Sequence, residues 1–201
     1  RSFRTWHAFT RDCKARERAA QRIRMSLRRI LRAELSRGWQ AWRRVVVFES
    51  MNAVDILGDI LQYDCKRVIF TGGEPMLHNL WPLHRLLKRR GYNLSVESNG
   101  TIEIPEGLID WICISPKDQV YPNSVIRQRN GDELKVVYCG QELAMYDDLK
   151  SGFEHHFIQP CYIDSATIEE NGILFQETEQ LVKDNTDWRL SLQTHKWMGI
   201  L

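Results

Sequence analysis

The segment Arg67-Val-Ile-Phe-Thr-Gly-Gly-Glu-Pro75 decides the fold of this chain. Its first four residues form a short β-branched and aromatic run of the kind that favours a strand. Two glycines follow at once and a proline closes the turn, so the strand ends there. A strand that opens into a glycine-rich turn is typical of parallel α/β proteins, which bind ligands at the carboxyl ends of their strands.

Strands and helices alternate around this segment. The hydrophobic pattern predicts strands at 67–70, 94–97, 111–114, 134–138, 156–158 and 189–192. It predicts helices at 51–64, 77–90, about 141–150 and 166–184. Such alternation implies parallel strands joined by right-handed crossovers. About 150 residues are too few for an eight-unit barrel of ~250, so we expect an α/β fold, either an open parallel sheet of about six strands or a partial (βα) barrel.

The N-terminal part has a different composition. Its first 44 residues contain 13 arginines and one lysine against three acidic residues, so their charge is +11 and that of the remainder is −9. Helix-forming residues dominate, and apolar residues recur every three or four positions. We therefore predict an arginine-rich amphipathic helical arm at 1–47 and an α/β domain at 48–201. The arm is typical of a helix that binds an acidic protein, a large complex or nucleic acid, or that docks on a neighbour through its aromatic face.

Composition also excludes several classes of protein. No apolar run approaches the ~18–20 residues of a membrane span. The five cysteines are odd in number and widely scattered, which argues against a secreted disulfide framework and favours a reducing intracellular compartment, the cytoplasm or an organelle matrix. The chain begins at Arg1 without a signal-peptide pattern, which favours a fragment or a processed product.

Polar side chains follow nearly every predicted strand. They are Thr71 and Glu74, Glu97 and Asn99, Ser115 and Lys117, Gln159, and finally Gln193, Thr194, His195 and Lys196. Parallel strands bring their carboxyl ends to one edge of the sheet, so we expect these groups to converge on one site. Turn formation explains the Asn-Gly and Ser-Pro pairs, but it does not explain the charged side chains.

The histidines and Lys135 are further candidates for functional residues. His78, His84, His155 and His156 lack zinc-ligand spacing, and we expect no metal site from them. Lys135 alternates with apolar neighbours on its strand, so its side chain should point away from the core.

Six segments, in this order and at plausible spacing, resemble 7-carboxy-7-deazaguanine synthase, a radical S-adenosylmethionine (SAM) family of queuosine and 7-deazapurine biosynthesis. They are Thr71-Gly-Gly-Glu-Pro-Met-Leu77, Val96-Glu-Ser-Asn-Gly-Thr101, Trp111-Ile-Cys-Ile-Ser-Pro-Lys117, Glu133-Leu-Lys-Val-Val137, Ile158-Gln-Pro160 and Trp188-Arg-Leu-Ser-Leu-Gln-Thr-His-Lys196. The resemblance covers about residues 51–201. It also implies that Lys135 supports the edge of the sheet at which these polar groups are expected to converge.

The resemblance implies a lyase reaction. In this family a [4Fe–4S] cluster on three closely spaced cysteines reduces SAM to a 5′-deoxyadenosyl radical. That radical abstracts hydrogen from 6-carboxy-5,6,7,8-tetrahydropterin, and Mg²⁺ assists a ring contraction that releases ammonia. A pterin-type small molecule is thus the implied substrate, and a homodimer stays open.

The same resemblance assigns residues to the site. The implied cofactor-binding residues are Gly72, Gly73, Glu74, Glu97, Asn99, Ser115, Lys117 and Gln159. The implied substrate-binding residues are Gln193, Thr194, His195 and Lys196.

The family's three-cysteine loop has no counterpart here. Upstream of Thr71 the cysteines are Cys13 and Cys65, 52 residues apart, whereas a cluster needs thiolates close together. Whether the chain is an enzyme therefore stays open. We expect a synthase-like domain that is inactive without cluster ligands. The alternative is a degenerate structural subunit whose basic helix binds an acidic partner or a large complex.

Overall fold

The fold is a single parallel β-sheet with helices, seen in a computed structural model that describes residues 52–118 and 124–197. The predicted arm at 1–47 lies outside the described residues. The strands are β1 (Arg67–Phe70), β2 (Asn93–Ser98), β3 (Trp111–Ile114), β4 (Gly131–Tyr138), β5 (Phe153–Pro160) and β6 (Arg189–Leu190). They pair in chain order and every pairing is parallel. This confirms the predicted open α/β sheet of six strands.

Helices connect most of the strands. They are α1 (Ala53–Ile60), α2 (Trp81–Lys88), α3 (Asp147–Lys150), α4 (Ile168–Asp184) and α5 (Thr194–Trp197), with 3-10 turns at Pro75–Leu77 and Leu143–Tyr146. Because the strand order follows the chain, right-handed crossovers place the helices on one face of the sheet. None of the helices within residues 52–118 and 124–197 is long and apolar enough to cross a bilayer.

Alternate side chains of each strand divide the two faces of the sheet. Leu94 and Val96 on β2 and Leu134 and Val136 on β4 are almost fully buried in the core beneath the helices. The residues between them point to the opposite face, which we call the concave face because the cavity described below lies on it. There the register aligns Glu97, Cys113, Glu133 and His155 in one row across four strands.

Several element boundaries differ from the predicted ones. The helix predicted at 77–90 is a 3-10 turn followed by α2, which begins only at Trp81; just before it, Asn79 Oδ1 accepts a hydrogen bond from Trp81 N (3.2 Å). The helix predicted at 141–150 is a 3-10 turn and the single turn α3. Strands β4 and β5 begin three residues earlier than predicted, since polar residues such as Glu133 and His155 pair in the ladder. Strand β6 has only two residues.

Candidate functional site

The carboxyl ends of β1, β2 and β3, with the residues that follow them, form one edge of the sheet, which we call the mouth. The loop after β1 exposes its backbone there. Gly72 and Gly73 have φ values of +83° and +55°, a region that side chains strongly disfavour. A Cβ at Gly72 would meet nothing within 4 Å, so the space beside its backbone is open. The polar N–H and C=O groups of this loop are therefore accessible to a ligand.

Glu74 anchors this loop to β2 from within. The residue is 3% exposed, and its Oε1 accepts hydrogen bonds from Ser98 Oγ (2.9 Å) and Met76 N (3.1 Å). Its Oε2 accepts a third from Asn99 N at 2.7 Å. The carboxylate is thus occupied by the protein's own donors. Through these hydrogen bonds it shapes the glycine loop.

Glu97 links three strands across the concave face. Its Oε1 lies 2.6 Å from Lys135 Nζ on β4, and its Oε2 accepts a hydrogen bond from Thr71 Oγ1 (3.4 Å) at the end of β1. Burial disfavours the charged form of Lys135, but the hydrogen bond and charge of Glu97 outweigh it and raise the Lys135 pKa above its usual value. The result is a fixed carboxylate at the mouth.

Ser115 and Lys117 follow β3 next to this pair. Lys117 Nζ donates to the buried hydroxyl of Ser115 at 2.9 Å, which is a neutral partner. Burial, together with repulsion from the Lys135 ammonium, lowers the pKa of Lys117 below its usual value. Among the described residues the hydrogen-bond partner of this ammonium is a hydroxyl and not a carboxylate, and a poorly hydrated ammonium of this kind is electrostatically suited to an anionic group of a ligand.

A cavity of about 310 Å³ extends from Glu97 along the concave face. Arg67 and Ile69 on β1, Asn93 and Ser95 on β2, Trp111 and Cys113 on β3, and Glu133 on β4 contribute to its walls. Burial raises the pKa of Cys113 to about 12, so this thiol stays protonated near neutral pH. The wall therefore combines apolar and polar groups around a neutral cysteine.

The remaining predicted residues are distributed along the later strands. Gln159 is buried on β5, in register with Val137. Lys196 Nζ pairs with Asp164 Oδ1 (3.1 Å), which follows β5, and does not join the Glu97 group. Gln193 is partly buried and Thr194 is exposed. His195 belongs to α5, but its side chain is outside what the structure describes.

The side chain of Asn99 forms hydrogen bonds within its own turn. Its Oδ1 accepts hydrogen bonds from Thr101 N (2.8 Å) and Thr101 Oγ1 (2.7 Å), so the side-chain carbonyl closes the turn after β2. The structure thus brings together the predicted groups of the first three strands. Lys196, from the last group, pairs instead with Asp164.

Sequence reasoning missed a second polar cluster near the mouth. Tyr146 OH donates to Asp118 (3.1 Å to each carboxylate oxygen), and it also accepts a hydrogen bond from Gln141 Nε2 at 3.3 Å. Tyr146 lies in a 3-10 turn, and no periodicity in the sequence marks it. Lys135 did carry a signal, because it alternates with buried Leu134 and Val136.

The described residues do not form a metal site. Within residues 52–118 and 124–197, no group of three or more His, Cys, Asp or Glu side chains is placed to hold a metal ion. Cys65 is exposed, whereas Cys113, Cys139 and Cys161 are buried at separate positions. Cys13 lies outside the described residues.

Comparison with known proteins gives consistent matches. The chain is 36% identical to 7-carboxy-7-deazaguanine synthase of Neisseria meningitidis over 86% of its own length and 82% of that protein. It is 38% identical to the enzyme of the same name from Bacteroides thetaiotaomicron, over 73% of this chain and 71% of that protein. The Neisseria match covers more of the chain than the segment 51–201 contains, so the match includes part of the first 50 residues. No family model matches the chain.

A solved structure shares the fold. The crystal structure of QueE from Escherichia coli matches with a TM-score of 0.50 and 24% identity, over 71% of this chain and 64% of that one. The present chain therefore spans less than two thirds of that structure. At this identity the likeness shows the fold alone, and it agrees with the open α/β sheet.

Proposed function

This chain belongs to the 7-carboxy-7-deazaguanine synthase family, and from that premise we propose that the mouth of its sheet binds SAM together with a pterin-type substrate. The observation that carries the proposal is the convergence of Thr71, Glu97, Ser115 and Lys117 at the carboxyl ends of β1, β2 and β3, next to Lys135 on β4. Ligands of parallel α/β proteins bind at this edge.

Each group of the mouth suits one part of SAM. The open backbone of Gly72 and Gly73 offers polar atoms to the amino-acid end. Lys117 provides an ammonium for the carboxylate of that end, and Glu97 provides a carboxylate, the group that commonly binds ribose hydroxyls. Glu74 acts indirectly, because it holds the glycine loop in shape. Gln159, Gln193, Thr194, His195 and Lys196 are proposed to complete the cofactor and substrate contacts.

The iron–sulfur cluster of the family does not fit the described residues. Such a cluster needs closely spaced thiolates, whereas the described cysteines lie apart and Cys113 favours its protonated form. A Mg²⁺ site is not formed by the described residues either. We therefore propose that residues 52–118 and 124–197 bind the ligands without supplying the electron of a radical step.

Calorimetry with SAM tests the binding proposal on the full chain. We expect SAM to bind the wild-type chain and Glu97→Gln to weaken binding about tenfold, as for a lost hydrogen bond to a charged group. Glu179→Gln is the matched control, because it removes a carboxylate that pairs with Lys183 on the exposed face of α4. Absence of SAM binding by the wild-type chain would overturn the proposal.

Iron and sulfide analysis after anaerobic reconstitution separates the two functional readings. Stoichiometric cluster would contradict the proposed lack of electron supply and would favour a radical enzyme. A chain that neither holds iron nor binds SAM would support the second candidate, a structural subunit. The observation that favours this candidate is the missing metal-ligand group in the described residues.

The domain arrangement and the compartment remain proposals as well. We propose an appended basic arm at 1–47, a catalytic-type domain at 48–201 and a reducing intracellular compartment. Limited proteolysis that yields a stable product beginning near residue 48 would support the boundary. Stable products that begin well inside the arm would contradict it.

A further inference from the structure

The Lys135–Glu97 pair spans three strands. Glu97 lies on β2 in register with Cys113 on β3, which in turn is in register with Glu133 on β4. Lys135 is two residues beyond Glu133 toward the carboxyl end. Since neighbouring strands are about 4.8 Å apart, the Lys135 side chain must extend diagonally across β3 to reach Glu97.

Cys113 and Ser115 on β3 lie on either side of this crossing, because Cys113 is in register with Glu97 and Ser115 is two residues further toward the carboxyl end. The side chain of Cys113 is short and 4% exposed. Its raised pKa, about 12 because of burial, keeps it neutral. A longer or charged side chain at this position would obstruct the ammonium or compete for it.

The two partners are unequally exposed. The Lys135 side chain is 17% exposed and that of Glu97 is 44% exposed, so the ammonium is largely covered while the carboxylate faces the open mouth. Thr71 Oγ1 holds the second oxygen of Glu97. The carboxylate is therefore anchored from two sides while part of its surface stays open to a ligand.

We propose that Lys135 is a positioning residue, which fixes the Glu97 carboxylate in one orientation before the cofactor arrives so that Glu97 accepts hydrogen bonds from ribose hydroxyls of SAM. This inference rests on the proposed function. A carboxylate that is already immobile loses less conformational entropy when it binds, and affinity rises accordingly. The family motif around Lys135 gave it only an unspecified supporting role, and the contact with Glu97 defines that role.

The test compares Lys135→Met, Lys135→Arg and Lys183→Met in the full chain. Lys135→Met keeps the length of the side chain and removes its charge. We expect it to raise the Kd for SAM about tenfold, and we expect Lys135→Arg to restore part of the affinity. Lys183→Met is the matched control, since Lys183 pairs with Glu179 at 2.7 Å on an exposed helix face. It should leave the Kd unchanged.

An NMR measurement reports positioning without any ligand. Three-bond couplings of Glu97 should show one χ1 rotamer in the wild-type chain and in Lys183→Met, and rotamer averaging in Lys135→Met. Unchanged couplings or unchanged SAM affinity in Lys135→Met would overturn the inference. A wild-type chain that binds no SAM would overturn the proposed function instead, and the couplings would still decide whether Lys135 orients Glu97.

Discussion

The buried carboxylate of Glu74 accepts three hydrogen bonds, two of them from backbone N–H groups. Replacement by alanine leaves Met76 N, Asn99 N and Ser98 Oγ without their acceptor in a site closed to water. We expect Glu74→Ala to lower the free energy of unfolding by about 2–4 kcal/mol, since each buried unsatisfied donor costs roughly 1–3 kcal/mol. Urea denaturation monitored by circular dichroism measures the change.

Glu106→Ala is the control for that measurement. Glu106 is exposed, so its loss should change the free energy of unfolding by no more than about 0.5 kcal/mol. Equal effects of the two substitutions would show that the Glu74 hydrogen bonds do not hold the glycine loop.

Lys117 gives a pH dependence with a definite sign. Its pKa in the folded chain is lower than the usual 10.5, mainly because of burial. Between the folded pKa and 10.5 the unfolded chain therefore binds more protons than the folded chain, and this residue makes stability increase as pH rises through that window. We expect Lys117→Met to remove this increase and to raise stability near pH 7 by about 1 kcal/mol, the scale of an imperfectly paired buried polar group.

The check is a series of urea titrations from pH 7 to pH 10.5 on the wild-type chain, Lys117→Met and Lys183→Met. The difference between the wild-type chain and Lys117→Met should shrink as pH rises, while Lys183→Met, on an exposed face, should follow the wild-type curve. A difference that is constant with pH would refute the assigned burial effect.

Single residues were predictable from sequence only where a motif or an alternation identified them. The strand-end position of Glu97 placed it at the mouth, and the alternation Leu134-Lys135-Val136 placed Lys135 on the concave face. The inward direction of Glu74 was not predictable, because it depends on donors 24 and 25 residues away. The hydrogen bond between Tyr146 and Asp118 was not predictable either, because the two residues are 28 positions apart and meet only when the chain folds.

Among the elements, the turn after β2 depends on a glycine. Gly100 has φ +79°, and a Cβ there would lie 2.8 Å from Ile114 Cγ2 and 3.1 Å from Ile126 Cγ2. Alanine at this position combines a disfavoured backbone conformation with a clash against β3. We expect Gly100→Ala to destabilise the chain by about 1–3 kcal/mol, measured as a lower urea midpoint.

Gly58→Ala is the opposite case within the same chain. Gly58 lies in α1, and a Cβ there would meet nothing within 4 Å. Alanine should raise the free energy of unfolding by up to about 1 kcal/mol, because glycine is the weaker helix former. If Gly100→Ala proved as harmless as Gly58→Ala, the close approach of the β2 turn to β3 would be refuted.

Element type was more predictable than element length. Strand β1 matches its predicted range because Gly72 ends it sharply. Strand β5 begins earlier than predicted, since the backbone of His155 pairs with that of Glu133 although both side chains are polar. Periodicity detects which side chains are buried, and it therefore underestimates strands whose ends reach into the polar concave face.

At the scale of the whole molecule, the core divides into two clusters. The smaller cluster contains Leu57 of α1, Leu83 and Leu87 of α2, and Leu94 of β2. The larger cluster lies beneath β3, β4 and β5, with Leu134 at its centre. Within the described residues β1 pairs only with β2, whereas β4 pairs on both sides. Ile69 on β1 is 54% exposed, so among the described residues this edge has fewer interactions to stabilise it.

We therefore expect α1, β1 and α2 to open as one unit below the free energy of global unfolding. Amides of β1 should exchange hydrogen for deuterium at least about 100-fold faster than those of Leu134 and Val136, because local units open at lower cost than core strands. Leu87→Ala removes a fully buried side chain from the smaller cluster, which typically costs about 2–5 kcal/mol. It should accelerate exchange in α1, β1 and α2 while leaving β4 protected, whereas Leu134→Ala should accelerate both regions. Uniform acceleration by Leu87→Ala would show instead that the sheet unfolds as one cooperative unit, and the edge strand beside the glycine loop would then be as rigid as the centre.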